Sequence, residues 1–422
     1  MAITTDQING YYKRVYGPDL ERVVPEWAIL RQKIAFKKEQ KLGETYNFPV
    51  LLTRSHGITW NGGTNAGTAF DLNDAISIVT KNATASGSEF VLKETVSYGA
   101  ISRSGTGNDE SFGELIDEIP LCMSEAANFY LEMALLYGGT NIAETTTAAV
   151  SGATQAFVVT EASWAAGLWA QMLNAQVDVY DTSALVTRIN ETAGVRFSCS
   201  VTAVDPSTRT VTLTTTTNMA LVSGYVIVPI GAVTNWFTGL DKIVTNTGSL
   251  FGISAATYPL WKSNTYSAAS APLTMAKIQN AITGAVVNGG LMKDVSVLLS
   301  PYAWTDLNND LAALRRFTES TKTEADLGTK SIKFYGGNGT IELLPHPMVK
   351  AGEAFILPFD QLVRIGSSDV TFRLPGAGDS YDFVQQLVGK AGFEMRCYFD
   401  QALMPKAPSK LTKITGIDNA SL

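Results

Sequence analysis

The pattern of apolar and polar positions is sharpest in the last third of the chain. VSVLLSP (295–301) is a short continuous apolar run, as a strand covered on both faces shows, and residues 302–317 behind it predict a helix. Four short strand candidates follow: IELLP from Ile341, EAFILPF from Glu353, LVRIG from Leu362 and VTFRLP from Val370. FVQQLVGKAGFEMRCYF (383–399) reads as a long final strand, and the chain after Met404 as a polar, proline-containing tail.

Upstream, residues 20–41 predict a helix broken at Pro25, with Trp27, Leu30 and Ile34 on one narrow stripe. One amphipathic helix cannot fold alone and needs a surface to lie on. Residues 45–103 read as extended: a strand at 45–55, a Gly- and Asn-rich tip at 56–70, and return strands near 75–80 and 90–102. This is a projecting two-stranded loop, marginal by itself in water. At 112–137 the period becomes helical, with Glu114, Asp117 and Glu118 at the start, where the helix dipole favours them. Leu121, Ala126, Phe129, Tyr130, Met133, Leu136 and Tyr137 form its apolar face, and Gly138-Gly139 a stop. Pro120 either kinks this helix or starts a second one.

Residues 145–154 read as a small-residue linker, and 155–245 as many short strands, consistent with an inserted β barrel or sandwich. Within it, only 164–172 looks helical, and Asp205-Pro206-Ser207-Thr208 is a tight-turn sequence. Residues 241–266 look largely irregular and extended. Residues 273–290 then predict a helix, with Met275, Ile278, Ile282 and Val286 as its stripe and Gly289-Gly290 as its stop.

Composition narrows the function classes. At 422 residues, 45% hydrophobic and 17% charged, the chain is globular and long enough for two to three domains. A formal net charge of −7 argues against a dedicated nucleic-acid binder. Arg31, Lys33, Lys37, Lys38 and Lys41 form a local exception, read either as a solvated helix face or as contact with a polyanion or acidic neighbour. The three cysteines, 122, 199 and 397, are far apart, which suits a reducing compartment better than a disulfide framework. No apolar leader or membrane-length run is visible, so no membrane partner is expected.

The search for chemistry returns little. His56 and His346 are far apart in sequence, and no cysteine clusters with either, so no metal set is expected. Asn61-Gly62-Gly63 and Gly336-Gly337-Asn338-Gly339 lack the lysine and the helix of a phosphate loop and read as turns, so no cofactor is expected. Trp60 and the Trp236-Phe237 pair read either as local packing or as anchors at a subunit interface, where aromatic residues are enriched.

FGISAATYPLWKS (251–263), VSVLLSPYAWTDL (295–307), the strand run 341–375 and the long final strand, taken in order behind the arm, loop and long helix, resemble the major capsid proteins of tailed bacteriophages. The resemblance covers most of residues 20–410 apart from about 146–245. It implies an α+β Hong Kong 97-type fold: an N-terminal arm (1–44), an extended E-loop (45–110), a peripheral-domain spine helix (111–145), a β-rich insertion domain (146–245), and the rest of the peripheral domain with the axial domain (246–422). It further implies a non-enzymatic coat protein, made in the host cytoplasm, that forms the pentamers and hexamers of an icosahedral virion shell around double-stranded DNA. Expected partners are other copies of the chain, a separate scaffolding protein, a portal, possible decoration proteins, and DNA contacted without sequence preference. The inter-subunit contact candidates are Trp27, Lys37, Lys38, Trp60, Phe70, Lys81 and Lys93; some relatives join loop and neighbour through Lys and Asn side chains. An encapsulin-like nanocompartment shell is the alternative within this fold. A β-rich carbohydrate-binding or glycan-cleaving protein is the alternative of another class.

Overall fold

In a computed structural model, residues 28–39, 45–62, 69–103, 115–146, 150–309, 332–336, 339–372 and 384–419 are described. The long helix runs Leu115–Tyr137 as one element, with Pro120 inside its second turn. It neither stops nor restarts there, since a proline so near the N-terminus removes only one hydrogen bond from an end that already leaves donors unpaired. In its last two turns Leu131, Met133, Ala134, Leu135, Leu136 and Tyr137 are all buried, so the helix enters the core with every face covered. It ends where Gly138 meets Gly239 backbone to backbone, the Gly239 N–H donating to the Gly138 carbonyl at 2.8 Å. A side chain on Gly138 would put its Cβ 2.1 Å from the Phe237 carbonyl oxygen, so this close approach requires glycine.

A six-stranded sheet lies in the C-terminal half, in the order Asn264–Ala271, Thr412–Ile417, Glu353–Leu357, Val295–Leu299, Gly339–Pro345, Ile332–Gly336. The helix Met275–Gly289 packs on it, burying Met275, Ile278, Ala281, Ile282 and Ala285 against Val297, Leu299, Ile356 and Ile414. Thr274 caps its start, and Gly290, at φ 60°, closes it at the glycine stop its sequence predicts. The helix after Pro301 runs Pro301–Asn309, and the rest of the expected span lies outside the described residues.

A second sheet joins Phe36–Lys38, Leu362–Thr371, Gly392–Pro405 and Val384–Gln386 in that order, and Ser88–Ser97 also pairs with Gly392–Pro405. LVRIG and the start of VTFRLP are not separate strands; they run together as Leu362–Thr371, with register slips after Gly366 and Ser368, and the end of VTFRLP lies outside the described residues.

Three further expectations are corrected. Among the described residues, the N-terminal helix is Ile29–Lys33, and the chain continues as the strand Phe36–Lys38, parallel to Arg364–Gly366; the part of the expected helix before residue 28 lies outside the described residues. Pairing with a sheet edge overrides helix propensity here, so Lys37 and Lys38 sit on a strand. The chain after Met404 is not a plain polar tail, because Thr412–Ile417 forms an interior strand of the six-stranded sheet. Its Thr412 and Lys413 are buried beside Ile414, which hides the usual alternation. The linker expected at 145–154 gives way at Val150 to the strand Val150–Val158.

The β-rich segment holds two three-stranded sheets. One is ordered Cys199–Asp205, Thr210–Leu221, Val150–Val158; the other Ala143–Glu144, Val226–Pro229, Val177–Tyr180. LVTRIN (185–190) is not a strand; it lies against Val177–Tyr180 through a bridge between Arg188 and Tyr180, the Ile189 N–H donating to Val179 O at 2.7 Å, and the Asn190 side chain bonding to Val179 N–H and Asp178. Phe157, Trp164, Trp169, Val201 and Leu213 belong to the same buried apolar cluster as Leu131, Met133 and Leu136 of the long helix.

Candidate assembly surface

The ribbon that follows the arm is anchored at its base and exposed along its length. Thr45–Leu51 and Thr80–Ser86 pair antiparallel, from Thr45 opposite Ser86 to Leu51 opposite Thr80. At the base Tyr46, Ala83 and Ala85 are buried. The Tyr46 hydroxyl accepts from the Ser367 N–H at 3.1 Å and donates to Asp400 Oδ2 at 3.2 Å. The Thr84 N–H donates to the Phe251 carbonyl at 2.9 Å. Two strands that would be marginal alone are thus tied to a rigid body.

Beyond Leu51 the two arms stay together through scattered bonds. The Leu52 N–H donates to Val79 O at 2.9 Å, and the Asn73 side-chain amide to Ile58 O at 2.9 Å. Apart from Leu52, which is buried at the base, the large apolar side chains described here find no core: Ile58, Phe70, Leu72, Ile76 and Ile78 are exposed, and Trp60 is 90% exposed. Soluble monomers rarely expose such a concentration of large apolar residues. Covering a side chain the size of Trp60 on a partner is worth roughly 3 kcal/mol.

The arm is held differently. Leu30 is buried, and its N–H donates to Glu132 Oε1 on the long helix at 2.7 Å. Arg31 bonds to Asn128 and lies 3.4 Å from Asp369. From the sheet, Arg364 gives its Nε to Ile34 O and one Nη to Arg31 O, each at 3.1 Å, and the other Nη to Asp369 and Gln401. Burial pushes the Asp369 carboxyl up, but Arg364, the Val370 N–H and Arg31 outweigh it and hold its pKa below the ordinary range.

The expected contact residues are spread along these two elements rather than gathered in one place. Trp60 and Phe70 project from the distal ribbon. Lys81, on the ribbon, stands over the Tyr258 ring at 5.2 Å from its centroid. Lys93 pairs with Glu394 at 3.0 Å, so it is engaged within its own chain. Lys37 pairs with Glu39, and Lys38 is exposed beside it on the arm strand. Trp27 lies outside the described residues. Sequence reading missed Leu72, Ile76 and Ile78, although their placement among polar neighbours was a usable signal. It also missed Arg364, because a donor's importance depends on which carbonyls the fold brings to it.

His346 is fully buried, its Nδ1 accepting from the Met348 N–H at 3.1 Å. Burial pushes the Cys199 thiol up to about 12 and the Cys397 thiol up to about 11, so both stay protonated and unreactive. Among the described residues no group of three His, Cys, Asp or Glu side chains is placed to hold a metal ion. Among the same residues no helix is long and apolar enough to cross a membrane.

No protein-family model matches the chain. No curated protein matches it either. Solved structures do. A chain of the cyanophage A-1(L) capsid asymmetric unit is similar at a TM-score of 0.53 and 12% identity, over 98% of this chain and 99% of that one. A chain from the capsid of a native GTA particle is similar at 0.52 and 9% identity, over 99% and 100%. The capsid of an empty GTA particle gives 0.52 and 10%, over 99% and 100%. Along nearly its whole length, this chain has the mixed α+β fold of the chains that build those capsids.

Proposed function

We propose that this chain is the major capsid protein of a tailed bacteriophage, assembling as pentamers and hexamers into an icosahedral head that encloses double-stranded DNA. The observation that carries the reading is the ribbon: a row of exposed apolar side chains from Ile58 to Ile78, clamped at its base to a body with the fold of capsid chains. Such a row gains its burial on another copy. A closed shell repeats each modest contact many times, so the whole is stable where one contact is not. In Hong Kong 97-type terms, residues 1–44 are the arm, 45–110 the E-loop, 111–145 the spine helix, 146–245 the inserted domain, and 246–422 the remaining peripheral and axial parts. The role is structural rather than catalytic. A net charge of −7 suits an inner wall that contacts DNA loosely and without sequence preference. A separate scaffolding protein, a portal and decoration proteins are the further partners of this reading.

Electron microscopy of the purified protein, alone and with candidate scaffold, tests it. Closed uniform shells, or rings of five and six, support the proposal. A protein that stays monomeric across concentration and scaffold, and binds glycans instead, overturns it.

A further inference from the structure

Three ionisable side chains away from the ribbon and arm meet in the interior. Lys413 stands opposite Phe355 in the antiparallel pairing of Thr412–Ile417 with Glu353–Leu357, so Glu353, two residues away, projects from the same face. Asp241 reaches the same point from the first turn of the helix Leu240–Val244. Lys413 Nζ bonds to Asp241 Oδ1 and, at 2.7 Å, to Glu353 Oε1, and it lies 5.6 Å from the centroid of the Phe355 ring. Lys413 and Asp241 are 4% and 6% exposed. The second Glu353 oxygen, Oε2, is buried and has no hydrogen-bond partner. Burial pushes the Asp241 carboxyl up, but Lys413, Lys350 and Thr140 outweigh it and hold its pKa below the ordinary range.

We propose that Lys413 and Asp241 condense into an intrachain isopeptide bond, with Glu353 as the group that moves the protons. Glu353 takes a proton from the Lys413 ammonium and passes it to the Asp241 carboxyl. The freed Nζ lone pair adds to Asp241 Cγ, forming the N–C bond. Glu353 then takes a second proton from nitrogen and delivers it to the leaving hydroxyl. The C–O bond breaks, water departs, and Glu353 is a carboxylate again. One ammonium and one carboxylate give one amide and one water, with no oxidant or reductant.

Three features favour this over a permanent ion pair. The nucleophile and the carboxyl are held in contact, and fixed geometry of this kind corresponds to effective molarities on the order of 10⁵ M or higher. Both reacting groups are buried, which disfavours return of the product water. A neutral amide also removes the burden of keeping two opposite charges in the interior. Burial disfavours the Lys413 ammonium, but Glu353 and Asp241 outweigh it and raise its pKa. The amine must therefore hand its proton to Glu353, whose Oε2 is free to receive it. The fully charged alternative, with Lys413 and Lys350 balancing Asp241 and Glu353, predicts no covalent bond.

Intact mass spectrometry of the folded full chain, after denaturation, distinguishes them. The expected result is a wild-type mass one water below that of the sequence, with a branched proteolytic peptide joining the segments around Asp241 and Lys413. Lys413→Arg should show its full sequence mass. Glu353→Gln, checked for an unchanged far-ultraviolet dichroism spectrum, should leave most chains unjoined. A folded wild-type chain at full sequence mass overturns the proposal, and equal joining in Glu353→Gln overturns the role given to Glu353. These readings are made on the subunit, so they stand or fall independently of shell assembly.

Discussion

Arg364 donates from Nε to the main-chain oxygen of Ile34 across 330 positions of sequence, at 3.1 Å. The same guanidinium reaches Arg31 O, Asp369 and Gln401 and lies over the Phe36 ring, so one side chain fixes both the helix and the strand of the arm. Arg364→Ala strands the Ile34 and Arg31 carbonyls, leaves Asp369 with Arg31 and the Val370 N–H alone, and should destabilise the arm contact by about 3 kcal/mol. Arg364→Lys, lacking the planar fork, should recover only part of that. Limited proteolysis at residues 28–39 and urea unfolding check both.

The Arg364–Asp369 pair also sets a pH response. The folded Asp369 pKa lies below the ordinary value of 3.8, so its contribution is fully present above that value and is lost as pH falls through the lower folded value. Arm docking should weaken progressively as pH drops below 3.8. Asp369→Asn should start weaker and lose this part of the acid response. Hydrogen exchange at the arm against pH reads both outcomes.

Trp60→Ala should separate assembly from folding. The side chain is 90% exposed, so the thermal midpoint of the isolated subunit should shift little, as for a surface change within about 0.5 kcal/mol. Assembly should suffer far more, with a loss of about 2 kcal/mol or more per contact. Sedimentation velocity and light scattering across concentration measure the second quantity. Equal assembly in the variant would remove Trp60 from the interface.

How much of this was legible in the sequence depends on whether a signal is local. Met275, Ile278 and Ile282 mark one face of a helix by spacing alone, and Thr274 and Gly290 supply its ends. Trp60 and Phe70 stood out as aromatics among Gly and Asn with no core of their own. Phe36–Lys38 was illegible because nothing in FKK says strand; its reason is the edge at Arg364–Gly366. Lys413 concealed the strand Thr412–Ile417, since a buried lysine makes sense only once Asp241 and Glu353 are known to surround it.

Gly366 offers a test of the second sheet. A Cβ there would sit 2.2 Å from Asp400 O and 2.8 Å from Gln401 Cα, both main-chain atoms that cannot swing aside. Gly366→Ala should therefore cost about 2 kcal/mol or more by overpacking. It should also raise hydrogen exchange in the ribbon base, because Asp400 carries the Tyr46 hydroxyl. Urea unfolding with site-resolved exchange checks this.

The strand Thr412–Ile417 lies between Asn264–Ala271 and Glu353–Leu357, and it is made after both. Until the ribosome has passed it, the six-stranded sheet is split, with Asn264–Ala271 on one side of the gap and the other strands on the other. A chain cut short before Thr412 therefore carries two unpaired strand edges, each open to pairing with another chain.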